Sequence, residues 1–514
     1  MKLFSNKGKN RSRIVCTLMI SSALWILPAC NKQLEIKSTA LSNEKGAWDS
    51  YDDVGSALTG LYGLLRTSMA DQNAYWLFGD LRSGDFTAVS RPDLKAIIDG
   101  KLNLTYPLIQ QLLDWRRYYA VIDACNQFIE HSGQALIDKR YTELNNKVDI
   151  AQARAIRAYT YFYIARIWGD VPLITSTHDG AFESVPRASQ EKVLSFASTE
   201  LQAAAKVLPF VYGKNDDPIF PGQYYGYDYT KYYNTLFNRV FAYAVLAHIA
   251  AWQGKYNEAS AYIDFVINNY PEIGASLIDD ITELTDGDKF FNDRVDVRQM
   301  FGMYMATGYN ESGISGMGHL ESLTLATPLI SKQRPDIYVS KDSINNIFTD
   351  VNDVRFGRDT ITGVFSENYF TNYEGDMPIF SKIKVIGDGS STNLAVYSSS
   401  IVPERLEEIY LLRSEAYAVM NQTTDAITAL NKIKSIRGVS LYHGAGGAPL
   451  IKAIFSERRR ELMGEGWRWY DLIRENRLLR DDAAFNELLD KGGIYWPIAQ
   501  KNATGSVEQN PYWQ

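Results

Sequence analysis

The stretch Arg239–Asn269, RVFAYAVLAHIAAWQGKYNEASAYIDFVINN, constrains the fold of this chain more than any other. Its first half is apolar at helical spacing, and Ala244, Ala247 and Ala251 are small enough for a second helix to approach closely. Gly254-Lys255-Tyr256 turns the chain, and a second amphipathic helix begins near Ala259. A helix pair of this kind cannot bury its apolar face alone, so it demands neighbours of the same build. A second copy runs from Arg405 to Gly438, with Glu415-Ala416-Tyr417 in its first helix and Ala426, Leu430 and Ile433 in its second.

Both copies resemble tetratricopeptide helix pairs, and two more pairs are readable upstream. Residues 50–70 place Val54, Leu58, Leu61, Leu65 and Met69 on one face, and the next helix is expected from about Leu108 to His131. A long helix over 149–168 is apolar around most of its circumference and ends at Gly169-Asp170-Val171-Pro172; its partner spans 189–206. Four pairs, at about 50–131, 149–208, 234–270 and 401–438, exceed the roughly three that such stacking needs. Residues 275–400 break the pattern with Gly, Asn, Asp and Ser, and a long irregular insertion in a compact protein is usually functional. In the closing region 450–514, Ser456–Arg474 reads as one helix with Leu462, Trp469, Leu472 and Ile473 on its buried face. Its charges are spaced to meet across one turn, as Arg458/Glu461, Glu465/Arg468 and Arg468/Asp471. Gly464 and Gly466 inside it, each costing about 1 kcal/mol against Ala, imply close approach by another backbone. Glu457, Arg458, Glu461 and Arg468 are expected to form buried or half-buried ion pairs that close the fold against the repeats.

The N-terminus is of a different kind. Five basic residues and no acid lie in residues 1–29, so without them the formal charge of −7 becomes −12, a poor balance for nucleic-acid binding. A basic segment, an apolar run from Ile14 to Ile26 and then Leu27-Pro28-Ala29-Cys30 read as an export signal, too short for a membrane span. The ending resembles a bacterial lipobox, which makes Cys30 the lipid-modified first residue of the mature chain, although Pro28 is unusual there. Asn31 to about Asn43 then reads as a tether. With Cys16 in the signal and Cys30 acylated, Cys125 is left alone, no internal disulfide is possible, and Cys125 reads as a small core residue.

No catalytic constellation is visible. Five His residues offer no HExxH or similar metal spacing, Gly313–Gly318 is not a nucleophile elbow, and there is neither a P-loop nor a dinucleotide fingerprint. Asp279, Asp280, Asp286, Asp288 and Asp293 fail the EF-hand pattern. No metal, cofactor or catalytic residue is therefore expected. Paired carboxylates brought together from afar are not selected by spacing, which leaves a helical glycoside hydrolase open as an alternative. A tetratricopeptide-type scaffold that binds only proteins is another. Ligand capture fits the aromatic surplus, 33 Tyr, 22 Phe and 10 Trp, because sugar sites combine aromatic platforms with polar rims. Asn73–Phe86, NAYWLFGDLRSGDF, has that mixture, and Tyr304, Tyr309 and Asn310 lie in a Gly-rich loop of the insertion. Tyr224, Tyr225, Tyr227 and Tyr229 form a further aromatic loop, read as partner contact or packing over a repeat.

An ordered series of landmarks is similar to the SusD/RagB family. It comprises RAYTYF…WGDVPL from Arg157 to Leu173, Asp353-x-Arg355, Phe380-Ser381-Lys382-Ile383, Arg405-x-x-Glu408…Arg413-x-Glu415-Ala416, ERRREL with EG-x-RW-x-DL-x-R from Glu457 to Arg474, and Gln509-Asn510-Pro511 near the end. Ala499 and Tyr512 depart from the family's tail. The resemblance implies a mainly α fold: a SusD-like α-helical body with four tetratricopeptide-like pairs plus a loop-rich insertion with short β-strands. It also implies an outer-membrane, surface-exposed lipoprotein that performs no chemistry. Such a protein captures an oligosaccharide or peptide ligand and passes it to a TonB-dependent, SusC-like transporter on which it sits as a lid. The family builds its ligand site from the loop after the first helix and from the insertion, which here nominates Trp76, Phe78, Arg82, Asp85, Tyr304, Tyr309 and Asn310.

Overall fold

Ser50 starts the first helix by accepting a hydrogen bond from the Asp53 amide at 3.2 Å, and α1 (Tyr51–Ala70) then buries Val54, Leu58, Leu61, Leu65 and Met69. The computed structural model describes residues 47–177, 185–292, 296, 298–305, 318–388, 395–503 and 505–514. Residues from Trp48 onward form one compact unit. A short helix α2 (Ala74–Gly79) follows α1. The expected helix at 108–131 is two, Pro107–Leu112 and α3 (Arg116–His131), because the Asp114 side chain takes the Arg116 amide and breaks the run. α4 (Glu143–Trp168) begins six residues before the expected start, where Thr142 and Asn145 form a reciprocal cap, and it is buried almost all round. α5 (Gln190–Ala205) pairs with it.

The two copies legible in sequence become α6 (Arg239–Trp252) with α7 (Tyr256–Asn269), and α8 (Leu406–Val419) with α9 (Thr423–Ile436). Gly254 sits at φ 75°, a left-handed conformation that suits glycine in the tight turn between α6 and α7. The pairs stack in chain order: α1 with α3, α4 with α5, α6 with α7 and α8 with α9, each touching the next. Trp168 marks the centre of the first half. It meets Phe78, Trp115 and Tyr118 edge-on at 5.6–6.0 Å, and its indole N–H donates to Pro497 O at 3.1 Å. The chain's end is thereby fixed against its first third.

The insertion is irregular, with antiparallel two-stranded ribbons at its edges. Phe301–Met303 pairs with Ile401–Glu404, Phe370–Thr371 with Ile379–Phe380, Ile386–Asp388 with Val396–Tyr397, and Ile337–Tyr338 reaches back to Thr87–Ala88. The fold is mainly α, as the sequence implies. Among the described residues no helix is long and apolar enough to cross a membrane.

Ser456–Arg474 is not one helix. α10 (Ala448–Glu461) and α11 (Arg468–Leu479) are separated by a turn in which Gly464 and Gly466 have φ of 76° and 81°. The close approach that these glycines imply is real: a Cβ on Gly79 would lie 1.9 Å from Gly466 O. Asp80, which follows α2, accepts from the Gly466 amide at 2.6 Å and the Arg468 amide at 3.4 Å, so a side chain 386 residues away caps α11. Burial pushes the Asp80 carboxyl up to about 7 even though both amides favour its charged form.

The ion pairs are buried as expected, but the three pairs read from spacing are not among them; the contacts made across one turn are Glu457 with Arg460 at 2.6 Å and Asp471 with Arg474 at 3.1 Å. Glu461 bonds Arg355, Arg405 and Arg437 at 2.9, 2.8 and 2.9 Å, and Arg458 bonds Asp471 and Glu408 at 3.0 and 2.7 Å. Glu465 pairs with Lys382 and Arg405, while Arg468 approaches Asp85 at 3.7 Å and Glu475 at 3.8 Å. Long-range partners win at Glu461 because Arg355 of the insertion, Arg405 just before α8 and Arg437 just after α9 converge on it.

Candidate functional site

The site is built around the reversal that ends α1. Gln72 and Asn73 both adopt left-handed φ, 56° and 58°, an uncommon pair for residues with side chains. This reversal turns α2 inward. Trp76 and Phe78 are consequently 3% and 0% exposed, and Phe78 packs edge-on against Trp496 at 4.8 Å. Neither ring offers a face to a ligand, which corrects the expectation of an aromatic platform. Arg82 is also structural: it donates to the carbonyls of Ile494 and Gly493 at 2.9 and 2.8 Å and lies 4.2 Å over the Trp469 ring. Asp85 is committed to Arg459 through a bidentate pair, with contacts of 2.5 and 3.2 Å.

The insertion reaches the same reversal from the other side. Arg66 of α1 donates to Tyr304 O at 2.8 Å, and the Gly318 amide donates to Ala70 O at 2.9 Å. A Cβ on Gly318 would stand 2.0 Å from Ala70 O and 2.5 Å from Asn73 Cα, so only glycine fits this crossing. Tyr304 is half-buried, and its hydroxyl donates to Gln299 Oε1 at 2.5 Å. Tyr309 and Asn310 lie outside the described residues. Gln72 and Asn73 are half-exposed, and the Asp71 carboxylate, whose side chain is 45% exposed, pairs with Arg117 at 3.1 Å. The insertion therefore meets the end of α1 and the start of the predicted loop, through Arg66 with Tyr304, Gly318 with Ala70, and Gly318 packed on Asn73. Gln72, which the sequence reading missed, had one faint signal, its place between a helix that stops at Ala70 and an apolar segment that must turn inward.

A second concavity was not foreseen. It has a volume of about 330 Å³ and lies within the insertion, between Asn345, Phe348, Phe356, Arg358, Phe365 and Tyr373. Phe356 and Phe365 stack at 5.2 Å, and the Tyr373 hydroxyl donates to Asn345 Oδ1 at 2.9 Å. The tyrosine loop divides: Tyr224 and Tyr225 turn in and bond the buried Asp149, whereas Tyr227 and Tyr229 are 54% and 43% exposed.

Among the described residues, a Ser–His–Glu chain offers no accessible nucleophile. His319 Nδ1 lies 3.0 Å from Ser399 Oγ, which donates to Glu321 at 2.8 Å, and all three are fully buried. Burial lowers the His319 pKa to about 4 and raises that of Glu321 to about 7. Cys125 is buried, and burial pushes its thiol up to about 12, the state of an inert core residue.

Similarity to known proteins agrees with this fold. A crystal structure of a SusD superfamily protein from Bacteroides thetaiotaomicron is 44% identical, covers 91% of this chain and 99% of its own, and superposes with a TM-score of 0.82. The chain belongs to the SusD family. The family model described as "SusD family" matches residues 380–514, and one described as "Starch-binding associating with outer membrane" matches residues 100–220. SusD-like protein P38 of Formosa agariphila is 24% identical over the whole of both chains. A laminarin-binding SusD-like protein, 19% identical with a TM-score of 0.69 over 90% of this chain and 100% of its own, shares the SusD fold.

Proposed function

We propose that this protein is a surface lipoprotein, held in the outer membrane through lipid on Cys30, that captures oligosaccharides and passes them to a SusC-like TonB-dependent transporter beneath it. It performs no chemistry. The observation that carries the reading is the meeting of the end of α1, where the Gln72–Asn73 reversal begins, with the insertion at Tyr304 and Gly318, on a frame of stacked helices. Such a place offers amide, carboxylate and guanidinium groups beside a glycine-containing loop, which suits ligands rich in hydroxyls.

Glycan rather than peptide is favoured by the laminarin-binding relative and by the family description that names starch. Delivery requires that the ligand stabilise a closed lid over the transporter relative to an open one, because a ligand with no differential affinity shifts nothing. Calorimetry of the purified protein against a glycan panel and a peptide panel tests capture, and pull-down from outer membranes tests partnership. Saturable binding to one glycan class together with a co-purifying β-barrel is expected. Binding confined to peptides would replace the cargo, and absence of both ligand and barrel would overturn the reading.

A further inference from the structure

We propose that His248, Glu404 and Glu408 form a binding site for a divalent transition-metal ion at the joint between the third and fourth helix pairs. His248 stands in α6, Glu404 ends the strand Ile401–Glu404, and Glu408 lies in the first turn of α8. Their side chains are at most 2% exposed. His248 Nε2 is 2.8 Å from Glu404 Oε2 and 2.8 Å from Glu408 Oε2, and the three atoms lie within 4.8 Å of one another.

One ring nitrogen carries at most one hydrogen. The contact with Glu408 has hydrogen-bond geometry, whereas Glu404 Oε2 is buried at the same distance and accepts no hydrogen bond. A proton on Nε2 thus hydrogen-bonds one carboxylate and leaves the other oxygen with a charge contact alone, short of the full pairing usual for buried polar groups. A divalent ion bound through the Nε2 lone pair would satisfy all three donors at once. Adjacent ligands about 2.0–2.1 Å from such an ion stand about 2.8–3.4 Å apart, and the two imidazole–carboxylate separations here are 2.8 Å. Imidazole with carboxylates suits zinc, iron or manganese better than calcium.

The surroundings are those of a structural site. Arg458 Nη2 lies 2.7 Å from the second oxygen of Glu408 and orients that carboxylate, and the guanidinium is in turn held by Asp471, 3.0 Å from its Nε. The Trp467 ring covers the imidazole at 4.7 Å between centroids, and the Arg166 guanidinium lies 5.7 Å over that indole. The ion would pin α6 to the strand that pairs with Phe301–Met303, and hence to the segment that presents Tyr304. Neither the family reading nor the capture reading requires it.

The test uses the purified full-length chain, unfolded with EDTA, then refolded with Zn²⁺ and passed through a desalting column before elemental analysis. One Zn²⁺ per chain is expected in the wild type and less than a tenth of that in Glu404→Gln, with Zn²⁺ raising the thermal midpoint of the wild type alone. Less than a tenth of an equivalent in the wild type, or equal content in both proteins, would overturn the site. Should Glu404→Gln fail to fold, zinc-edge X-ray absorption of the wild type decides. One imidazole with oxygen donors at about 2.0 Å supports the site, and water oxygens alone or several imidazoles refute it.

Discussion

Arg355 Nη1 and Glu461 Oε2 lie 2.9 Å apart with neither side chain exposed, although 106 residues of sequence separate them. Arg355 is also held by Asp353 at 2.8 Å and by Glu457 at 2.8 Å, so the insertion is bonded to α10 through one guanidinium. Against the desolvation that burial imposes, Arg437, Arg405 and Arg355 hold the Glu461 carboxyl well below the usual carboxylate range. Removing one member of such a cluster strands the others. Glu461→Ala should cost about 3–5 kcal/mol in urea denaturation, and Arg458→Ala a similar amount, while the folded fraction of each keeps its ligand affinity. Loss of affinity without loss of stability would contradict the structural role.

Contact between α2 and the 462–467 turn makes a steric prediction. Gly79→Ala must displace the Gly466 carbonyl, and backbone yields less readily than a side chain. A loss of about 3 kcal/mol or failure to fold is expected, read from the thermal midpoint. Asp80→Ala should cost about 1–3 kcal/mol by leaving the buried Gly466 amide without an acceptor.

Opposite pH dependences should be separable at the His319–Ser399–Glu321 chain. His319 has a pKa lowered to about 4, so its contribution is full above pH 6.5 and is lost as pH falls toward 4. Glu321 has a pKa raised to about 7, so its contribution is full below pH 4.5 and is lost as pH rises through 7. The stability advantage of wild type over His319→Gln should therefore shrink on acidification from pH 6.5 to 4. Over Glu321→Gln it should grow from pH 7 to 4.5. Each change should be on the order of 3 kcal/mol in denaturant titrations at stepped pH.

Trp76 and Gln72 should separate stability from capture. Trp76→Ala removes a buried indole and should cost about 3–5 kcal/mol. Gln72→Ala, at a half-exposed position, should change stability by less than about 0.5 kcal/mol and weaken glycan binding several-fold in calorimetry. Unchanged binding by Gln72→Ala and by Tyr304→Ala would move the capture site elsewhere, with the Phe356–Phe365 concavity next to test.

If the proposed acylation of Cys30 anchors the protein, Cys30→Ser should shift it from the membrane to the soluble fraction on cell fractionation. Retention in the membrane fraction after the substitution would exclude Cys30 as the anchor.

Local periodicity determined the helices of this protein. Small residues at Ala244, Ala247 and Ala251 and the turn at Gly254 are short-range signals, and the α6–α7 pair forms where they place it. Landmark residues such as Asp353, Arg355, Arg405 and Glu461 were legible one by one, with no indication that they share a single buried cluster. The direction of side chains at the site was decided only by tertiary structure. Two left-handed residues, Gln72 and Asn73, rotate Trp76 and Phe78 into the core, and the crossing at Gly318 brings the insertion to the end of α1. Helical spacing is written within a few residues, whereas burial and charge pairing depend on which distant backbone fills the adjacent space; the crossing at Gly79 and Gly466, too close for a Cβ on Gly79, exists only once both segments are folded.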